Sequence, residues 1–122
     1  MKLIEFGPSR ANGGRASSTT PRVVVSRNGS ISLNPKAMEV MGLIHDSQVL
    51  FCQDPVNKKN WFIKKTETGG FRLRKPKGKE YLLFMAKDLS LKIHMSVNNT
   101  GSLSGEIGSV PIEREYWPIS FT

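Results

Sequence analysis

The sequence predicts a mainly β protein, a small barrel-like domain built from β-hairpins with two short helices, and three features carry that prediction. Short apolar runs are separated by turn-forming Gly, Asn, Asp and Pro along residues 22–121, the punctuation expected of strands and hairpins. Several of these runs alternate polar and apolar residues at period two, as strands with one buried face do. Two stretches, 35–41 and 86–93, instead place apolar residues at helical spacing.

The first 21 residues read as a flexible arm. Residues 7–21 are mostly Gly, Ser, Thr, Pro, Asn and Arg, and such a segment buries too little surface to offset the entropy of ordering. Residues 2–6 have the composition of a short edge strand. From Arg22 the pattern changes to the β-branched run Val23-Val24-Val25, and Asn28-Gly29 predicts a two-residue hairpin turn into the alternating Ser30-Ile31-Ser32-Leu33. Asn34-Pro35 then reads as a helix start, because Asn caps free N–H groups and Pro at the first helical position loses no hydrogen bond. Ala37, Met38, Val40 and Met41 form the apolar stripe, and Gly42 suits the left-handed residue that closes a helix.

Val49 to Cys52 and Trp61 to Ile63 read as two strands joined by a polar loop containing Asp54-Pro55 and Asn57. Phe71 to Arg74 predicts a strand with two bases on one face, Lys75 to Lys79 a charged turn, and Tyr81 to Phe84 another strand. Ala86 to Ile93 follows as a short helix with Leu89 and Ile93 on one face. Residues 98–102 read as a turn, and Ile107, Val110, Ile112 and Trp117 to Phe121 are set among turn residues.

Composition narrows the class. The 122 residues suffice for one hydrophobic core, so residues 22–122 are expected to be a single domain. Apolar residues at 38% with charged residues at 23% suit a globular chain rather than a disordered one. The longest apolar run, Tyr81 to Ala86, is far too short to span a bilayer, and Met1 to Pro8 lacks the apolar centre of a secretory signal. No membrane partner and a cytoplasmic location are therefore expected. Cys52, the one cysteine, stands in an apolar run and reads as a buried, inert thiol.

Net charge is +8, and its distribution points toward polyanions. Between positions 58 and 79, Lys58, Lys59, Lys64, Lys65, Arg72, Arg74, Lys75, Lys77 and Lys79 meet one acid, Glu67, with Trp61, Phe62 and Phe71 interleaved. Bases neutralise phosphates and aromatic rings can stack on unpaired bases, although these rings are expected in the core. Residues 93–122, by contrast, carry one base and three acids. Arg10 and Arg15 on the arm suit a solvated tail, or a segment following a nucleic-acid groove.

Catalytic signatures are missing. His45 and His94 have no metal-ligand or nucleophile spacing, no phosphate-binding glycine motif follows a strand, and Gly101-Ser102-Leu103-Ser104-Gly105 has leucine where a nucleophile elbow needs serine. Neither an enzyme nor a cofactor is expected.

The segment Val23 to Lys65 resembles the AbrB/MazE/SpoVT group of swapped-hairpin barrels. The resemblance rests on Gly29, Ile31, Leu33, Pro35, Val40, Met41-Gly42-Leu43, Asp46, Val49, Phe51 and Ile63-Lys64-Lys65. It implies a swapped-hairpin or related double-psi barrel in which two half-units intertwine, usually as a homodimer, and DNA binding by bases near the Gly turn and short helix. Here Ser30 follows Gly29 and Met38-Glu39 replaces a basic pair, so that surface retains only Arg22, Arg27 and Lys36.

An internal similarity suggests that one chain holds both halves. Leu33 to Val40 resembles Phe84 to Leu91 at an offset of 51, and Trp61 to Lys64 resembles Trp117 to Ser120 at an offset of 56. Residues 22–65 and 71–121 are accordingly expected to be two related halves that close on one another, giving a monomer with pseudo-twofold halves; the alternative is a homodimer in which residues 22–65 find their second half-unit in another molecule. Phe84, Leu89, Ile93, Ile107, Trp117 and Ile119 should then pack against Ile31, Leu33, Val40, Met41, Phe51 and Phe62. The function expected is a nucleic-acid-binding regulator, DNA favoured, contacting phosphates through Arg22, Arg27, Lys36, Lys58, Lys59, Arg72, Arg74, Lys75 and Lys77. The alternative is a protein-interaction module of antitoxin or mobile-element type.

Overall fold

The computed structural model describes residues 20–98 and 101–121; the arm, apart from Thr20 and Pro21, lies outside them. Eight strands and two helices follow in the order β1 (Arg22–Val25), β2 (Ser30–Leu33), α1 (Pro35–Met41), β3 (Gln48–Gln53), β4 (Trp61–Thr66), β5 (Phe71–Arg72), β6 (Leu82–Met85), α2 (Lys87–Ser96), β7 (Leu103–Ile107) and β8 (Trp117–Phe121). All strand pairs are antiparallel, in the order β5-β3-β4-β8-β7-β1-β2-β6. A bridge between Arg74 and Leu83 joins the two ends of that order, so the sheet curls into a nearly closed barrel. Closing the sheet removes the unpaired edges that an open one exposes.

Each half of the chain contributes strand, strand, helix, strand, strand. Exchanging β1 with β5, β2 with β6, β3 with β7 and β4 with β8 carries the β1/β7 pairing onto β5/β3 and the β3/β4 hairpin onto β7/β8. The β4/β8 and β2/β6 pairings map onto themselves. Registers follow the internal similarity: Trp61 faces Ile119 while Ile63 faces Trp117, and Ile31 faces Phe84 while Leu33 faces Leu82. The first hairpin of each half thus pairs with the other half, and neither half has its full set of partners alone.

The alternation seen in the sequence fills the barrel. Val23, Val25, Ile31, Leu33, Val49, Trp61, Ile63, Leu82, Phe84, Leu103, Ile107 and Ile119 are buried in one cluster, with Leu73 and Leu43 beside them. The helices add Ala37, Met41 and Ile93. Phe71 stacks on Phe84 at 4.7 Å between centroids, and Phe51 tilts against the same ring at 6.0 Å. Val40 and Phe62, expected in this core, are not part of it. Val40 lies off the Ala37–Met41 line of α1, and Phe62 falls between the inward-facing Trp61 and Ile63.

The start and end of α1 follow from side-chain chemistry. Asn34 Oδ1 accepts from Ala37 N at 2.9 Å and also from Arg22 N at 3.0 Å, while its Nδ2 donates to Thr20 O at 2.8 Å. One side chain therefore caps the helix and ties it to the first strand. Gly42, at φ 69°, closes the helix, and Leu43 N reaches back to Met38 O at 2.8 Å.

Three other expectations need correction. The first hairpin turns through Arg27, Asn28 and Gly29 rather than through two residues: Gly29 N donates to Ser26 O, Ser26 N to Ser30 O, and Gly29 alone takes positive φ, at 100°. The run 71–74 forms a strand only at Phe71 and Arg72, because beyond Leu73 the chain turns from β3 toward β6. Residues 103–107, set among turn residues in the sequence, form β7, held between β1 and β8.

Candidate nucleic-acid interface

The bases that are contiguous in sequence are divided by the fold. Lys58 and Lys59 lie exposed in the loop joining β3 to β4, beyond Gln53. Arg72 pairs with Gln48 at the opposite end of β3. A strand of this length separates the two groups by roughly 17 Å at about 3.3 Å per residue, so 58–79 is two patches rather than one groove.

The β3–β4 loop is built for rigidity. Asp54 accepts from Val56 N at 2.8 Å and Asn57 N at 3.2 Å, and Gln53 Nε2 donates to Lys58 O at 2.8 Å. Those backbone donors hold the Asp54 carboxyl below its ordinary 3.8, with Asn60 adding to the effect. On β4, Lys64 Nζ contacts Glu115 at 3.1 Å and lies 5.2 Å from the Tyr116 ring centroid. The hydrogen bond to Glu115, followed by its charge, raises the Lys64 ammonium above 10.5. Lys65 Nζ instead donates to Gly42 O at 2.9 Å, a charge placed at the C-terminal end of α1.

The second patch is the hairpin between β5 and β6. Arg74, Lys75, Lys77 and Lys79 are exposed along it, with Glu80 the neighbouring acid. Arg74 exchanges two backbone hydrogen bonds with Leu83, at 2.8 and 2.9 Å, and Lys75 N donates to His45 Nδ1 at 3.2 Å. Lys79 N closes the tip on Pro76 O at 3.1 Å, with Gly78 at φ 76°. Arg72 at the hairpin base lies 3.8 Å from Asp46.

The remaining expected contacts are scattered. Arg27 is exposed at the tip of the first hairpin, Arg22 is half-buried opposite Glu106 on β7, and Lys36 is 3.3 Å from Glu39 on its own helix. None of the three lies in the β5–β6 hairpin.

The aromatic residues divide too. Trp61 is buried with its Nε1 donating to Ser96 Oγ at 2.8 Å, and Phe71 stacks inward. Phe62 faces outward beside Cys52, and both line a hollow with Pro55, Ile112 and Tyr116. Cys52 is half-buried rather than fully buried, because it falls on the outward phase of β3. Sequence reasoning did not foresee this hollow: its parts come from two loops distant in sequence, and Ile112–Tyr116 is shaped by Glu113 and Arg114 at φ 54° and 65°.

The histidines are held by backbone. His94, buried, has Nδ1 at 2.8 Å from Ser90 O and Nε2 against Gly101 O, and Ser90 Oγ donates to Ser26 O at 2.8 Å. His45 is exposed. Among the described residues no group of His, Cys, Asp and Glu is arranged to hold a metal ion, and no helix is long and apolar enough to cross a membrane.

Comparison with protein-family models, curated proteins and solved structures finds no match for the chain.

Proposed function

We propose that this protein is a nucleic-acid-binding module, a cytoplasmic DNA-binding regulator of the swapped-hairpin type in which one chain supplies both half-units. The observation that carries the reading is the β5–β6 turn, which presents Arg74, Lys75, Lys77 and Lys79 to solvent with no carboxylate of the described residues within ion-pair distance of any of them. Unpaired exposed bases retain their full attraction for phosphate and release counterions on binding. The exchange symmetry of the strand pairings, together with the capped helix Pro35–Met41, supports the swapped-hairpin resemblance and the relation between the two halves.

The test is a salt titration of binding to a short duplex DNA. Binding at low salt that weakens linearly in log salt supports the proposal; absence of binding at low salt rejects it.

A second reading, a protein-interaction module of antitoxin or mobile-element type, is favoured by a separate feature. The hollow lined by Cys52, Pro55, Phe62, Ile112 and Tyr116 adjoins loops carrying the exposed Val56 and Val110. Exposed apolar residues on loops that border an apolar hollow suit a protein contact better than a phosphate. Stable co-purification of a protein partner, lost in Ile112→Asp, with no retardation of nucleic acid, would favour this reading over the first.

A further inference from the structure

The β1–β2 and β5–β6 turns occupy corresponding places in the two halves, yet the fold treats their tips differently. Gly29 at the β1–β2 tip is packed on the start of α2: a Cβ there would lie 3.0 Å from Lys87 Cα, and Gly29 O accepts from Ala86 N at 2.9 Å. Ser26 O, on the same tip, accepts from Ser90 Oγ. Gly78 at the β5–β6 tip has no heavy atom of the described residues within 4 Å of its Cβ position, and Lys77, Gly78 and Lys79 are exposed. One tip is docked and bears a single base, Arg27; the other stands free and bears several.

From this contrast we infer that nucleic acid is engaged from one side only, by the free β5–β6 hairpin, so that a chain with pseudo-twofold strand pairing binds DNA as an asymmetric reader. The inference rests on the nucleic-acid reading above. The turn between β5 and β6, pinned at its base by the Arg74–Leu83 bridge, is narrower than the DNA major groove, which admits a two-stranded ribbon, and the bases flanking Pro76 and Gly78 can meet phosphates on its walls. Arg22, Arg27 and Lys36 are spectators: one is half-buried, one sits on the docked tip, and one is paired with Glu39. The site contacted is therefore a single segment without a repeated half-site.

Two variant sets, each measured on the same duplex across a salt series, test this. In the first, Arg74, Lys75, Lys77 and Lys79 become Ala, with Lys77→Gln/Lys79→Gln as a milder version confined to the exposed tip. In the second, Arg22, Arg27 and Lys36 become Ala. Each phosphate neutralised contributes about −0.9 to the slope of log affinity against log salt. The first set should therefore flatten the slope by about 3 and weaken binding at physiological salt by at least about tenfold, the milder version about half as steeply. The second should leave slope and affinity within about twofold of the parent. Equal loss in both sets, or loss confined to the second, overturns one-sided binding while leaving the nucleic-acid reading intact. A parent protein that fails to bind duplex at low salt removes that reading and this inference with it.

Discussion

At the scale of single residues, Asn34 has the clearest consequence. Its amide serves α1, Arg22 N and Thr20 O together, so Asn34→Ala should cost more than an ordinary cap, about 2 kcal/mol, in urea unfolding; Asn34→Asp, which keeps the cap but loses the Nδ2 donor, should recover part of that. Titration separates two other residues. The Asp54 carboxyl is held below 3.8 by backbone donors, so its stabilising effect is present above that value and is lost as pH falls through the lowered one. Lys64 is held above 10.5 by Glu115, so its effect is complete below that value and is lost as pH rises through the raised one. Side-chain NMR titrations should place the Asp54 midpoint below 3.8, and Glu115→Gln should return the Lys64 midpoint toward 10.5. The helix cap was legible in the sequence because Asn-Pro and Gly42 act through local backbone geometry. The outward phase of Phe62 and Cys52 was not, since a run such as Trp61-Phe62-Ile63 is apolar on both faces and period two has no contrast to show.

Among the elements, β7 shows where local reading ends. Gly101-Ser102-Leu103-Ser104-Gly105 has turn composition, yet Leu103 to Ile107 is a strand because β1 and β8 supply ladders on both sides. Gly105 faces inward, and a Cβ there would stand 2.6 Å from Ile119 Cγ2 and 2.9 Å from the Phe121 ring. Its lack of a side chain makes room for β8. Gly105→Val should accordingly destabilise the barrel by about 2 kcal/mol or more in urea unfolding, whereas Gly78→Ala, in open space, should cost only the strain of positive φ, about 1 kcal/mol. The basic run 58–79 was visible as composition, but its division between two ends of the β3–β4 hairpin depends on strand direction, which charge does not encode. Hairpins, α1 and the approximate position of α2 followed from turn residues and apolar spacing, while the six residues of β3 set the distance that splits the patch.

For the whole molecule, the exchange of hairpins between halves governs folding. The β1–β7 and β3–β5 ladders join residues 22–66 to residues 71–121, so each half alone leaves strand edges unpaired and part of the core exposed. Expressed separately, fragments 22–66 and 71–121 should show no cooperative unfolding, and mixing them should restore the circular dichroism of the intact chain. In sedimentation the intact protein should run as a monomer. The residues behind the internal offsets of 51 and 56 lie on the two self-paired ladders, where Ile31 and Leu33 face Phe84 and Leu82, and Trp61 and Ile63 face Ile119 and Trp117. The free and docked states of the two hairpin tips were not readable, since both are Gly-containing polar turns and only α2 distinguishes them. That difference underlies the proposed one-sided engagement, in which a barrel with symmetric pairing meets nucleic acid through one turn. The decisive experiment is an NMR titration of the intact protein with a short duplex DNA at low salt: one-sided engagement gives amide shifts concentrated at residues 72–80, whereas shifts concentrated on the first hairpin and α1, spread equally over both turns, or absent altogether would overturn it.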